Sequence, residues 1–270
     1  MSALQAEFDA VTAIVRRDWL VLTSYRLRFV SQLISLCFSV TLFHFIAKLV
    51  RVTSFNTPGA YFAFALIGLV TLQVLNSTLH SPPSILRGEL GAGTFERFVV
   101  SPFGALRAMV AMTIFPLLYA LMMALAMLVF AAIAFGLHVH WSTLALLAPV
   151  AFLGALSFLP FGLLIMALVL VFKQALTGVT FVVAGISLIS GLYFPVSVLP
   201  GWMRELSRVQ PFTPAADLMR HVMAGTHLHE SLSLELAKLV GFPLVLLPLS
   251  VIALQLALRA GRRRGTLLES

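Results

Sequence analysis

The chain has 270 residues, of which 60% are hydrophobic and only 10% are charged, and its mean hydropathy is +1.02. Soluble globular domains carry about 25% charged residues, so this composition excludes an ordinary soluble domain. The net charge of +8 would suggest nucleic acid as a partner of a soluble protein, but in an apolar chain it indicates basic flanks on the cytoplasmic side of a membrane.

The first 28 residues predict an amphipathic helix. Apolar side chains recur there at spacings of three and four and form one stripe, while Asp9, Arg16 and Arg17 lie on other faces. Such a helix can lie in the plane of the lipid headgroups, and we predict an N-terminal interfacial helix over residues 1–28. Docking of the same helix on another protein is the alternative. The stripe consists of Phe8, Val11, Val15, Trp19 and Leu22.

Residues 29–258 predict a transmembrane domain of six helices. No Asp, Glu, Lys or Arg occurs in the 65 residues between Arg107 and Lys173, and about 20 residues already cross the hydrocarbon core. The runs are continuously apolar, which favours helices over a barrel. The predicted spans are Phe29–Ala47, Ala60–Leu79, Ala108–Leu137, Leu144–Phe172, Ala175–Tyr193 and Leu239–Leu258. If part of residues 174–203 only dips into the membrane, the number of spans is five.

The distribution of basic residues predicts that both termini lie in the cytoplasm. With the N-terminus inside, the inner segments hold twelve of the eighteen Lys and Arg residues, including the cluster Arg262-Arg263-Arg264 in a basic tail over residues 259–270. The same orientation makes residues 81–107 a cytoplasmic loop and residues 194–237 an external segment.

Several kinds of chemistry are missing from the sequence. It contains neither a G-x-x-x-x-G-K-[ST] phosphate loop nor an H-E-x-x-H metal motif, and no Asp or Glu falls within a predicted span. We interpret His44 as interfacial, with a proton relay as the alternative, and the group His221, His227, His229 and Glu230 as a solvated loop, with metal binding as the alternative. We therefore predict no catalytic residue, metal site or cofactor in this chain.

The cytoplasmic loop predicts a short helix over residues 94–100. Thr94 is the expected N-cap, Glu96 lies in the first turn, and Ser101-Pro102 ends the helix. Phe95, Phe98 and Val99 then share an apolar face. That face either binds a groove on a partner or packs on the protein's own spans.

Two motifs carry a resemblance to a known family. The run Gly93–Pro102, which reads GTFERFVVSP, resembles the loop between spans two and three of bacterial type-2 ABC exporter permeases. The runs Ser190–Pro195 (SGLYFP), Leu199–Trp202 (LPGW) and Gln210–Pro214 (QPFTP) resemble the re-entrant external hairpin of the same family. In this family charged residues often precede the Gly-Thr pair, whereas Gly91-Ala92 stand here and the nearest acid upstream is Glu89.

The resemblance implies an all-α permease subunit with an interfacial helix, a cytoplasmic coupling helix and an external re-entrant hairpin. It implies a second permease subunit, in a homodimer or a heterodimer, and a separate ABC ATPase that carries ATP and Mg. The residues expected to contact the ATPase are Glu89, Gly93, Thr94, Phe95, Glu96, Arg97 and Val99. The expected hairpin residues are Phe194, Pro195, Pro200, Gly201 and Trp202.

The expected function is ATP-driven export across the bacterial inner membrane. The spans lack fixed charge, which favours a lipophilic drug, a lipid or a lipid-linked glycan as the substrate. Membrane lipid is an expected partner and nucleic acid is not. The alternatives are an ion-coupled secondary transporter, which predicts ionisable groups within the membrane, and a membrane scaffold that transports nothing.

Overall fold

The computed structural model describes residues 3–49, 57–136, 144–172, 175–192, 196, 199–226, 228 and 230–264. Within these ranges all regular structure is helical, which confirms the predicted all-α membrane fold. The helices are α1 (Ala3–Ser24), α2 (Arg26–Leu49), α3 (Pro58–Gly91), α4 (Phe95–Val100), α5 (Ala105–Ala111), α6 (Ile114–Phe135), α7 (Leu144–Val171), α8 (Ala175–Ile189), α9 (Gly201–Val209), α10 (Phe212–Ala224) and α11 (Leu232–Arg264).

Among the described residues, five segments are long and apolar enough to cross a membrane: α2, α3, α5 together with α6, α7, and α11. These correspond to the first, second, third, fourth and sixth predicted spans. The fifth, α8, has 15 residues, or about 22 Å of helix against about 30 Å of hydrocarbon. A full crossing by α8 therefore stays a prediction.

Helices α3 and α7 pack closely in the centre of the bundle. Pro82 lies inside α3 and has no amide proton, so it cannot donate to the carbonyl of Thr78 one turn earlier. The backbone of Gly162 in α7 approaches that carbonyl so closely that a Cβ atom on Gly162 would lie 2.4 Å from the Thr78 oxygen. The proline in one helix and the glycine in the other thus permit one close backbone contact.

The predicted cytoplasmic loop 81–107 is more helical than expected. Helix α3 continues twelve residues past the predicted end of span two at Leu79, and reaches Gly91. The third predicted span is divided, because α5 ends at Ala111 and α6 begins at Ile114. Pro116 cannot donate to the carbonyl of Met112, and this missing bond falls at the break.

The buried face of helix α1 overlaps the predicted stripe only in part. Ile14 and Asp18 are buried, and Val11 packs against the small cluster formed by Ile14 with α5. Phe8 and Trp19, two members of the stripe, are 72% and 50% exposed. The boundary with the first span also moves, since α2 already begins at Arg26.

Candidate functional site

The turn between α3 and α4 depends on one glycine. Gly93 has φ +67°, a left-handed conformation that glycine adopts without strain. The amide of Thr94 donates to the carbonyl of Glu89 at 3.0 Å and closes the turn. The Thr94 hydroxyl makes no capping bond to α4, contrary to our prediction. It donates instead to the Glu89 carboxylate.

Glu89 joins three helices. Its Oε2 accepts from the Thr94 hydroxyl at the start of α4, and its Oε1 accepts from Nη1 of Arg17 in α1 at 2.7 Å. The same guanidinium binds Asp18 at 2.8 Å and lies 6.0 Å from the ring centre of Phe98 in α4. We call Arg17, Glu89 and Thr94 the three-helix tie. The Glu89 side chain is only 16% exposed, and both of its carboxylate oxygens bind within this tie. Its expected contact with an ATPase stays a prediction.

Asp18 adds a second carboxylate beside the tie. Burial raises the pKa of the Asp18 carboxyl above its ordinary value, while the hydrogen bond and the charge of Arg17 act in the opposite direction. Its Oδ2 atom is buried and has no hydrogen-bond partner among the described residues. The ion pair with Arg17 therefore stabilises the Asp18 carboxylate next to Glu89.

Helix α4 presents a charged surface rather than an aromatic one. Phe95 is 1% exposed and belongs to the main core, and Phe98 and Val99 pack against it. Phe95 thus packs on the protein's own helices, which is one of the two alternatives that the sequence left open, and its contact with an ATPase stays a prediction. Glu96 and Arg97 are exposed, and so is Val100 at 82%, which the sequence did not single out.

The tie predicts a measurable effect of neutralising Glu89. We expect Glu89→Gln to lower the free energy of unfolding by about 1–3 kcal/mol, because the half-buried Arg17 loses one of its two carboxylate partners and keeps only Asp18. We also expect faster limited proteolysis at Gly93, because α4 loses a bond to α3. The matched control is Glu7→Gln, since the Glu7–Arg107 pair is about half exposed on both sides and is expected to contribute under 1 kcal/mol. Equal effects of the two variants would contradict the tie.

A second cluster surrounds Arg220 in α10. The side chain is 3% exposed, and its guanidinium carbon lies 3.6 Å from the ring centre of Phe64 in α3. Its Nη2 donates to the carbonyls of Gly191 and Leu192 at 3.0 and 3.2 Å, and Nη1 pairs with Asp217 at 3.4 Å. A buried arginine with an anion, two carbonyls and an aromatic face is well compensated. It ties the chain after α8 to both α10 and α3.

Backbone contact and hydroxyl groups complete this cluster. A Cβ atom on Gly68 of α3 would lie 1.9 Å from the Leu192 oxygen, so only glycine fits there. Gln210 donates to the Ser190 hydroxyl at 2.9 Å, and the Ser207 and Thr213 hydroxyls lie 3.0 Å apart. The motifs around Ser190 and Gln210, recognised separately in the sequence, are therefore in contact.

The predicted hairpin residues are described in part. Helix α9 begins at Gly201 after Pro200 and α10 follows, so two short helices occupy the segment in which a hairpin was expected. That this segment is external and re-entrant stays a prediction. Trp202 is 65% exposed and shares a face with Leu206 and Val209, which are 51% and 71% exposed. Phe194 and Pro195 lie outside the described residues.

The histidine group gives no described metal site. Nδ1 of His221 lies 2.7 Å from the Thr226 carbonyl, and Glu230 pairs with Lys238. His227 and His229 lie outside the described residues. In the part of the chain that is described, no three acidic, histidine or cysteine side chains converge as a metal site would require.

Comparison with known proteins identifies one family and one relative. The family model for the ABC-2 type transporter matches residues 9–224, which include both the three-helix tie and the Arg220 cluster. Nodulation protein J of Rhizobium meliloti (strain 1021) is 29% identical over 91 residues, or 34% of this chain and 35% of that protein. The matched region thus spans about a third of the length of this curated relative.

Proposed function

Because the chain belongs to the ABC-2 type transporter family, we propose that it is the permease subunit of an ATP-driven exporter in a bacterial inner membrane. The observation that carries the proposal is the family match from α1 to α10. Two permease subunits pair, and a separate ABC ATPase binds on the side of α4, which the bias of basic residues assigns to the cytoplasm. The chain itself is a transport subunit without catalysis, and ATP and Mg bind to the ATPase.

The geometry around α4 supports a mechanical role. Glu96, Arg97 and Val100 are exposed on α4, whereas Phe95 anchors the same short helix in the core. The three-helix tie connects the base of α4 with α1 and α3. A displacement of α4 by the ATPase therefore reaches two long helices directly. Nucleotide drives transport only to the extent that it favours one of their arrangements over the other.

The side chains of the spans support a lipophilic substrate. The spans bury mostly apolar side chains, and their polar groups are largely hydroxyls bonded within their own helix, such as Thr71 to Ile67 and Thr78 to Val74. A lipophilic drug, a lipid or a lipid-linked glycan suits such a pathway. An ion-coupled carrier would need acids deep in the membrane. The predicted spans lack them, and the buried Glu235 lies in the first turn of α11, at the end of that helix and not at its centre.

Removing the exposed charges of α4 is expected to prevent binding of the ATPase. We expect Glu96→Ala/Arg97→Ala to abolish co-purification of an ATPase chain that carries a phosphate-loop motif, because the variant removes two charges from the proposed interface. The chain should still fold, since both side chains are exposed. Phe95→Ala would be less informative, because it opens a cavity in the core.

The matched control is Glu205→Ala/Arg208→Ala, which removes an exposed pair of the same charges from α9. The tagged chain is co-expressed with a candidate ABC ATPase and purified by affinity. The ATPase activity of the eluate is then measured. Retention of the ATPase by the α4 variant, or its loss from the α9 variant alone, would contradict the proposed docking surface.

A further inference from the structure

Two adjoining voids lie where α1, α2, α3 and α6 meet. One is an open cavity of about 430 Å³ with both apolar and polar walls, the polar ones formed by Asp18, Arg28, Gln32, His80, Ser81 and Ser84 among others. The second is a groove of about 350 Å³ between α1 and α6, with mostly apolar walls. Phe115 and Tyr119 line both voids.

Tyr119 lies between the cavity and the groove and lines both. Its hydroxyl donates to Oε1 of Gln32 in the cavity at 2.9 Å. Its ring stacks on Phe115 with 6.2 Å between centres, and Phe115 in turn meets the edge of Trp19 at 6.5 Å. The groove continues from there along Val15, Leu118 and Met122. The cavity with its polar groups and the apolar groove therefore lie side by side and share the rings of Phe115 and Tyr119.

The charges at this site favour an anion. Arg28 lines the cavity and Arg16 lines the groove, and neither has a carboxylate partner among the described residues. Asp18 is the one carboxylate in the described walls, and Arg17 neutralises it at 2.8 Å. Burial also favours the protonated form of Asp18 by raising its pKa. The buried Oδ2 of Asp18 lacks a hydrogen-bond partner among the described residues, so a ligand with a hydroxyl group could satisfy it.

We propose that these two voids bind one phospholipid with an anionic, hydroxyl-bearing headgroup. The phosphate lies against Arg28 and the hydroxyls of Ser81 and Ser84, a headgroup hydroxyl donates to Asp18, and an acyl chain follows the groove past Trp19. The site lies at the α4 end of the bundle, so the lipid comes from the leaflet that the charge bias assigns to the cytoplasm. The lipid is a resident ligand and not the exported cargo, so the inference does not depend on transport.

The experiment uses Trp19 as a reporter in the groove. The full chain is purified in maltoside detergent with Trp141→Phe and Trp202→Phe, which leaves Trp19 as the remaining tryptophan. Its fluorescence is titrated with phosphatidylglycerol that carries brominated acyl chains, and separately with phosphatidylcholine that carries the same chains. Bromine quenches tryptophan at close range, so half-maximal quenching measures occupation of the groove. We expect phosphatidylglycerol to reach it at about fivefold lower mole fraction, the effect of one arginine near an anionic lipid.

Substitutions separate the site from general lipid contact. Arg28→Gln should remove the preference for phosphatidylglycerol, and Gln32→Glu should weaken it while still accepting the Tyr119 bond. Arg26→Gln is the matched control, because Arg26 is an exposed arginine on the same helix that does not line the cavity. Equal quenching by both lipids in the parent protein, or equal losses with Arg26→Gln and Arg28→Gln, would overturn the proposal. Displacement of the brominated lipid by millimolar glycerol phosphate would also overturn it, because the site would then hold a soluble phosphate.

Discussion

Replacing Arg220 with methionine is expected to lower the free energy of unfolding by about 3–5 kcal/mol, because it breaks a buried ion pair while leaving the anion in place. Methionine fills most of the aliphatic volume, so the loss reports the guanidinium and not a large cavity. The variant loses the bonds to Gly191 and Leu192, the pair with Asp217 and the contact with Phe64. The measurement is thermal unfolding of the purified protein in detergent, and the midpoint temperature of the variant is compared with that of the parent.

Two further variants test the cause of this loss. Arg220→Met combined with Asp217→Asn should recover part of the stability, since the remaining charge is neutralised. Arg208→Met is the matched control, because Arg208 and its partner Glu205 are more than half exposed and such pairs contribute under about 1 kcal/mol. A loss with Arg220→Met no larger than the loss with Arg208→Met would mean that the Arg220 cluster does not hold the hairpin.

Gly68→Ala is expected to cost about 1–3 kcal/mol through overpacking. The new Cβ would stand 1.9 Å from the Leu192 oxygen, a backbone atom that cannot rotate away as a side chain would. Helix α3 and the chain after α8 must therefore separate, and the bond from Arg220 to Leu192 lengthens or breaks. Thermal unfolding measures the loss. Trypsin cleavage at Arg204 or Arg208 in α9 should also become faster as the hairpin loosens.

The control for Gly68→Ala is the same change at Gly241, inside α11. A Cβ atom there meets nothing within 4 Å, so alanine should leave stability unchanged or raise it through its better helix propensity. If both variants keep the parent's midpoint, the close approach of α3 to Leu192 does not constrain the protein.

The sequence predicts the helices better than it predicts the faces they bury. Uninterrupted apolar runs and the scarcity of charge are local properties, so they locate the long membrane helices and the short α4. The bounds are less accurate, since α3 continues twelve residues past its predicted end and α11 begins at Leu232, seven residues before the predicted span. The direction in which a short helix turns depends on its neighbours. Phe95 and Trp19 illustrate this, since the first is buried although the sequence left its direction open, and the second is half exposed. An exposed apolar side chain in a membrane protein can face lipid, so hydrophobicity no longer identifies the interior.

Polar contacts between distant segments could not be predicted from the sequence. Arg17 and Glu89 are 72 positions apart, and no spacing rule joins them. The Thr94 hydroxyl was predicted to accept a capping bond from an amide of α4, but it makes no such bond and donates to the Glu89 carboxylate. Arg220 and Asp217 did carry a local signal, since charges three apart on a helix can pair. The carbonyls of Gly191 and Leu192, which make this cluster a tertiary contact, carried none.

The length of α3 has a mechanical consequence. The helix has 34 residues, and the 21 positions from Gly68 at the hairpin to Glu89 at the tie correspond to about 32 Å. Pro82 and Pro83 lie within this stretch and remove two backbone hydrogen bonds, so the helix can bend there. A tilt of the whole stretch by about 10° around Glu89 would move Gly68 by about 5.5 Å. Since the backbone of Gly68 contacts the Leu192 carbonyl, such a movement would displace the segment after α8 or break this contact. A small change of angle at the three-helix tie is thereby amplified at the far end of α3.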